Sequence, residues 1–220
     1  MLMAVAVVSL LVGLWTGLVH LGLAVPSGRA GLAEAHGPLM VLGFLGTFIS
    51  LERAVALGAA WGYAAPAATG AGGLAIVAGA PDGFGQALMT GGGLVLVAIF
   101  VAVHRIQASL HNVVLASGAA CWVVAGGLWL TGWDIPRFVP WLVAFLVLTI
   151  AGERLELSRL VGAGRVARWL FLAGVGLFAA GLLVSLTTEV VGVRIAGAGL
   201  VAVAAWLVRY DVARRTIRTR

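Results

Sequence analysis

Residues 36–58 read HGPLMVLGFLGTFISLERAVALG, and this stretch decides the fold. It is apolar over about the 20 residues that a helix needs to cross a lipid bilayer. Its only acidic or basic residues besides His36 are Glu52 and Arg53. Comparable runs recur along the chain, which is 62% hydrophobic and 10% charged, with a mean hydropathy of +1.10. A soluble domain carries roughly 25% charged residues, so the sequence predicts an integral membrane protein.

The hydrophobic runs predict an all-α, polytopic bundle of about eight transmembrane helices, with the lipid bilayer as its main partner. The predicted spans are residues 2–24, 37–58, 61–80, 86–105, 111–131, 137–158, 166–186 and 190–210. The linkers between them are too short for a folded domain outside the membrane. No basic leader precedes the first run, so we expect it to be retained as a helix and not cleaved as a signal peptide.

The arginines predict the orientation. Eleven fall on one side of an eight-span protein and three on the other. The first group is Arg53, Arg105, Arg154, Arg159, Arg165, Arg168, Arg209, Arg214, Arg215, Arg218 and Arg220, and the second is Arg29, Arg137 and Arg194. By the positive-inside rule both termini are cytoplasmic, in the cell (inner) membrane. We expect the tail at 214–220 to contact anionic lipid headgroups, and nucleic-acid binding is disfavoured.

Short motifs repeat at an offset of about one hundred residues. PLMV at 38–41 and LERA at 51–54 are followed by PWLV at 140–143 and GERL at 152–155. This spacing predicts two parallel four-helix repeats, residues 1–110 and residues 111–220 with the basic tail. Chance similarity between runs of Ala, Gly, Leu and Val is the alternative.

Both repeats carry a Glu-Arg pair at the same place, Glu52-Arg53 and Glu153-Arg154. Glu52 lies sixteen residues beyond His36, about 24 Å along a helix, which is inside a hydrocarbon layer of about 30 Å. Adjacent helical residues point about 100° apart, so we expect each charge to find its partner on another helix. Glu52 with Arg154 and Glu153 with Arg53 are the predicted pairs. A structural clamp between repeats and a proton-handling site both remain open.

A stripe of residues marks one face of the second helix: His36, Met40, Gly43, Thr47 and Ser50, spaced 4, 3, 4 and 3 apart. Small residues at this spacing allow close helix packing. His36 followed by Met40 is equally a candidate ligand pair for haem iron or copper.

The four histidines form two predicted pairs, one at each membrane face. His20 and His36 flank the loop after the first helix, and His104 and His111 flank the loop after the fourth. Each pair belongs to a hairpin and is a candidate for binding one metal ion or a haem b, with His36, His104 and His111 as metal ligands. The alternative is that these interfacial side chains hydrogen-bond to headgroups and loop carbonyls.

The segment from His36 through Met40, Gly43, Gly46-Thr47 and Arg53 to Gly58 resembles a histidine-led helix of the NnrS family, membrane proteins related to haem and copper handling. The resemblance covers about 23 residues. It implies that His36 ligates haem or a metal and that Arg53 faces a haem propionate. The family is expected to have more spans and more histidines than this chain.

Other chemistries are excluded by composition. The chain has no lysine, which rules out a lysine Schiff base, and its single cysteine, Cys121, cannot form an intrachain disulfide or hold an iron-sulfur cluster. Hydrolase motifs are absent from the sequence, and whether the protein is an enzyme stays open. We therefore expect a haem- or metal-linked redox or sensing role. The alternatives are a proton-coupled small-solute or ion transporter that uses the glutamates, and a structural or assembly subunit with homo-oligomer or membrane-complex partners.

Overall fold

The computed structural model describes residues 1–26, 28–29, 31–81, 83–158 and 164–210. All regular secondary structure in these ranges is helical, so the predicted all-α class is confirmed. The helices described are α1 (Leu2–His20), α2 (His36–Leu57), α3 (Ala64–Ala78), α4 (Phe84–Ile106), α5 (Leu110–Leu130), α6 (Ile135–Ser158), α7 (Arg165–Ser185) and α8 (Glu189–Tyr210). Arg159 and the predicted lipid-binding tail lie outside the described residues.

The helix ends follow local backbone chemistry. α2 ends at Leu57 because Gly58 adopts a left-handed φ of 69°, and its N–H bonds back to the carbonyls of Ala54 and Val55. A left-handed residue is the common way to end a helix, and glycine adopts it without steric cost. α1 ends at His20 and not at residue 24 as predicted, because a turn begins there.

Seven of the described helices are long and apolar enough to cross a membrane, and α3 is the exception. It has 15 residues instead of the 20 predicted for 61–80. At 1.5 Å per residue α3 is about 22 Å long. The 3₁₀ turn Ala60–Tyr63 leads directly into it and adds about 8 Å at 2 Å per residue. The axial lengths of the two segments sum to about 30 Å, which is close to the thickness of a hydrocarbon core.

The second helix is not a regular α-helix. Its segment Leu39–Gly46 is π-helical, with wider turns than the α-helical segment Thr47–Leu57 that follows. The Thr47 hydroxyl donates a 2.8 Å hydrogen bond to the carbonyl of Gly43. The residues of the predicted stripe meet different neighbours: Met40 lies against α1, whereas the Thr47 methyl group lies beside Gly70 of α3. Such π segments are rare and frequently occur at functional sites.

The chain forms two compact units, Met1–Ser109 with Ala116–Leu146, and Leu110–Leu115 with Val147–Arg220. In the first unit the centre of the core is Trp122, which is fully buried and lies 5.1 Å from Phe145, between ring centroids. Its indole occupies the space left by glycines: a Cβ at Gly46 would lie 2.9 Å from Trp122 and one at Gly93 3.1 Å from it. The duplication into residues 1–110 and 111–220 stays a prediction.

The second unit contains the closely packed hairpin of α7 and α8. Glycines let the two backbones touch: a Cβ at Gly199 would lie 2.6 Å from the Cα of Phe178. The Trp206 indole N–H donates a 2.6 Å hydrogen bond to the carbonyl of Ala167. Small residues at helix contacts are the usual means of close packing between apolar helices.

Candidate metal site in the first helix hairpin

The antiparallel helices α1 and α2 meet through two glycines of α1. A Cβ at Gly17 would lie 2.9 Å from the Cε1 atom of His36, and one at Gly13 would lie 2.7 Å from the sulfur of Met40. His36 and Met40 are one helical turn apart on the side of α2 that faces α1. The glycines therefore make the room into which both candidate ligands fit.

His36 is held in one orientation by the backbone of α1. Its Nδ1 lies 2.7 Å from the carbonyl oxygen of Gly13, and the ring is half-buried. A carbonyl oxygen can only accept a hydrogen bond, so Nδ1 carries the proton and Nε2 keeps its lone pair in the neutral ring. The Thr16 hydroxyl donates to the same carbonyl at 2.8 Å. In the neutral ring, His36 therefore presents a nitrogen with a lone pair in a fixed position.

His20 is oriented in the same way by the loop that follows α1. Its Nε2 lies 2.7 Å from the carbonyl oxygen of Ala33. By the same argument Nε2 carries the proton and Nδ1 keeps its lone pair. Metal-ligating histidines almost always donate their other ring N–H to a carboxylate, a carbonyl or water, which fixes the ring and raises its basicity. Both histidines have this support from the backbone.

The structure brings His20 and His36 together. Their ring centroids are 6.0 Å apart and the planes meet at 70°. Metal–nitrogen bonds of about 2.0–2.1 Å place two imidazole rings on one ion with centroids roughly 5 to 6.5 Å apart. The observed spacing falls within that range. Among the described residues, no three His, Cys, Asp or Glu side chains gather into a metal-binding group.

Arg53 lies at the other end of α2 from His36. Arg53 follows His36 by seventeen positions, of which eight form the π-helical segment Leu39–Gly46. The role that the NnrS resemblance implies for Arg53, facing a propionate of a haem on His36, stays a prediction.

Glu52 and Arg53 form an ion pair with each other, which corrects the expectation that adjacent charges need partners on other helices. Arg53 Nη2 lies 3.4 Å from Glu52 Oε1. Both side chains are long enough to bend towards each other around the helix. The Glu52 side chain is 56% exposed on the protein surface and that of Arg53 is 19% exposed, and the expected depth of Glu52 inside the hydrocarbon layer stays a prediction. Glu153 and Arg154 each have interaction partners of their own, and the predicted pairing between repeats stays a prediction.

The two inner histidines belong to different compact units. His104 lies in the last turn of α4, in the first unit, and its Nδ1 has no hydrogen-bond partner within the described part of the chain. His111 lies at the start of α5, in the second unit, and is buried. Its Nε2 is 3.7 Å from Glu156 Oε1. Glu156 is a charged neighbour that the sequence argument missed. Its position three residues after Glu153, on nearly the same helix face, was the available signal.

Comparison with known proteins gives one match. A family model described as "Domain of unknown function (DUF8744)" covers residues 1–220. No curated protein and no solved structure matches the chain.

Proposed function

The chain belongs to the DUF8744 family, a domain of unknown function, and we propose that it is an integral membrane protein whose His20 and His36 bind a redox-active metal. One observation carries the proposal. Two imidazole rings lie 6.0 Å apart, and each is bonded through one nitrogen to a backbone carbonyl at 2.7 Å. This leaves one nitrogen with a lone pair on each neutral ring, and such a nitrogen is a metal ligand.

A copper ion fits the available ligands better than a haem. Imidazole nitrogen suits copper, and a thioether sulfur selects Cu(I), which gives Met40 a role as a third ligand. A porphyrin needs a gap beside its axial ligands, whereas α1 and α2 are in contact at Gly13 and Gly17. Haem b on the same histidines is the second form of the proposal. Either centre exchanges a single electron, which supports a redox or sensing role.

The surface of the helices supports a location in the membrane. Large apolar side chains such as Val166, Leu183 and Val201 are each more than 60% exposed. A soluble monomer rarely exposes extensive apolar surface, whereas lipid tails surround it without cost. With eight crossings the positive-inside rule puts both termini in the cytoplasm and the His20–His36 pair at the outer face. The basic tail at 214–220 is proposed to bind anionic headgroups on the cytoplasmic face.

The direct test is a titration of the metal-free, detergent-purified chain with Cu(I) against a chromogenic chelator. We expect one tightly held copper ion per chain. Binding no stronger than that of a His20→Ala, His36→Ala double variant would contradict the proposal.

Gly17→Ala tests whether the fit of His36 against α1 matters. The added Cβ occupies space 2.9 Å from the ring, so His36 must move and its bond to Gly13 weakens. We expect copper affinity to fall by about 10-fold, the lower end of the effect of losing an outer-shell partner, although both histidines remain. The measurement is the same chelator titration.

The matched control is Gly91→Ala, because a Cβ at this helical glycine of α4 meets no described atom within 4 Å. It is expected to bind copper like the unmodified protein. Equal affinities for the two variants would show that the contact at Gly17 does not position the ligand.

A further inference from the structure

A separate cavity opens at the end of the first unit where α3 ends and α4 begins. Its volume is about 200 Å³. It is lined by Arg29, Gly31, Glu34 and Ala35, by residues at the end of α3 and the start of α4, by Trp129 of α5 and by Ile135 of α6. Its polar side chains are those of Arg29, Glu34 and Gln86. None of them takes part in the His20–His36 site, although Ala35 in the cavity wall is the neighbour of His36.

Arg29 is anchored at the mouth of this cavity. Its Nη2 donates a 2.7 Å hydrogen bond to the carbonyl of Ile76, in the last turn of α3. The same carbonyl also accepts a 3.2 Å hydrogen bond from the Gly79 N–H, and a cation is favourable at the C-terminal end of a helix. Arginine has five N–H donors. The hydrogen bond to Ile76 uses one of them and leaves others that can bind a ligand. The guanidinium is therefore positioned and still able to bind.

Glu34 brings the opposite charge to the same cavity without neutralising Arg29. No ion pair within 4.0 Å joins the two in the part of the chain that the structure describes. Trp129 adds an indole ring to the lining, and an indole face attracts cations. A cavity that carries both charges unpaired is complementary to a ligand that also carries both.

We propose that this cavity binds a small zwitterion, with its carboxylate on Arg29 and its ammonium group near Glu34 and Trp129. Arginine binds carboxylates through parallel N–H bonds, which gives the ligand its direction. The volume of about 200 Å³ is below the roughly 300–1,000 Å³ of drug-sized pockets, so we expect a ligand of the size of an amino acid or a betaine. The site is independent of the metal at His20 and His36.

The test is calorimetric titration of the full-length protein in lipid nanodiscs with glycine and with glycine betaine. Acetate and tetramethylammonium are the comparison ions, because each carries one of the two charges. We expect at least one zwitterion to bind about 10-fold or more tightly than either ion, which corresponds to 1.4 kcal/mol. The proposal is overturned if neither zwitterion binds at millimolar concentration, or if acetate binds as tightly.

Two variants assign the charges. Glu34→Gln removes an exposed carboxylate and should lose the preference for the zwitterion while it keeps the binding of acetate. Arg29→Gln should bind neither the zwitterion nor acetate, but this substitution also removes the hydrogen bond to the Ile76 carbonyl. For that reason the Glu34→Gln result decides the matter if Arg29→Gln fails to fold. Arg194→Gln is the matched control, an exposed arginine of α8 outside the cavity. Unchanged zwitterion binding in Glu34→Gln overturns the assignment.

Discussion

Replacing His36 by alanine is expected to lower copper affinity by more than about 100-fold. Loss of an outer-shell partner alone costs 10- to 100-fold, and this change removes a ligand together with its bond to the Gly13 carbonyl. The remaining His20 offers a single nitrogen at this end, and in the described ranges no cluster of three ligating side chains can replace the site. The measurement is the competitive chelator titration with Cu(I).

His36→Asn separates the ligand from the structural hydrogen bond. An asparagine amide N–H can take the place of Nδ1 and donate to the Gly13 carbonyl, but it offers nothing in the place of Nε2. We expect this variant to fold with the thermal stability of the unmodified protein and still to lose copper. If His36→Asn held copper as tightly as the unmodified chain, Nε2 would not be a ligand, and the proposed site would be wrong.

The second large effect is expected in the α7–α8 hairpin. Gly199→Ala places a Cβ 2.6 Å from the Cα of Phe178. This neighbour is backbone and not the flexible end of a side chain, so the helices must separate. Overpacking typically costs 1–3 kcal/mol and occasionally more. We expect the free energy of unfolding to fall by at least the upper end of this range, because separating the helices opens the whole hairpin. Chemical unfolding in detergent micelles measures this free energy.

Gly197→Ala is the control on the same helix. A Cβ there meets no described atom within 4 Å, and alanine is favoured over glycine inside a helix by roughly 0.5–1 kcal/mol. This variant should be as stable as the unmodified protein or slightly more so. Similar losses in both variants would mean that the effect comes from the helix itself and not from the contact with Phe178.

The helices were predictable because their signal is local. Hydropathy over about 20 residues located all eight described helices, and most helix ends lie within two or three residues of the predicted ends. The length of α3 was not predictable in this way, since apolar residues continue through its 3₁₀ entry and past Gly79. The π segment Leu39–Gly46 was also missed. The neighbours of this segment come from other helices, such as Ser9 beside Gly43 and Trp122 beside Gly46, and a local hydropathy pattern carries no information about them.

The candidate site was predictable only in part. A short loop between two helices places His20 and His36 near each other, and that much follows from chain order. The carbonyls that orient the rings do not, because the contact between His20 and the Ala33 carbonyl depends on the three-dimensional fold and not on chain order. The sequence argument wrongly excluded an ion pair between Glu52 and Arg53. The angle of about 100° between adjacent residues applies to the directions of their Cβ atoms, whereas the ends of two long side chains can still approach each other. The cavity at Arg29 brings together segments far apart in sequence, which no local pattern indicates.

The central claim is that His20 and His36 hold a redox metal, and one spectrum tests it most directly. Full-length protein, purified in detergent from cells supplied with copper and haem precursor, is measured by ultraviolet-visible absorption, oxidised and then reduced, with metal analysis of the same sample. The account predicts about one copper per chain in the unmodified protein and none in His36→Asn. A Soret band that shifts on reduction would mean that the histidines bind haem and not copper. A colourless sample, free of metal even after loading with copper, would contradict the claim and favour transport or an assembly role.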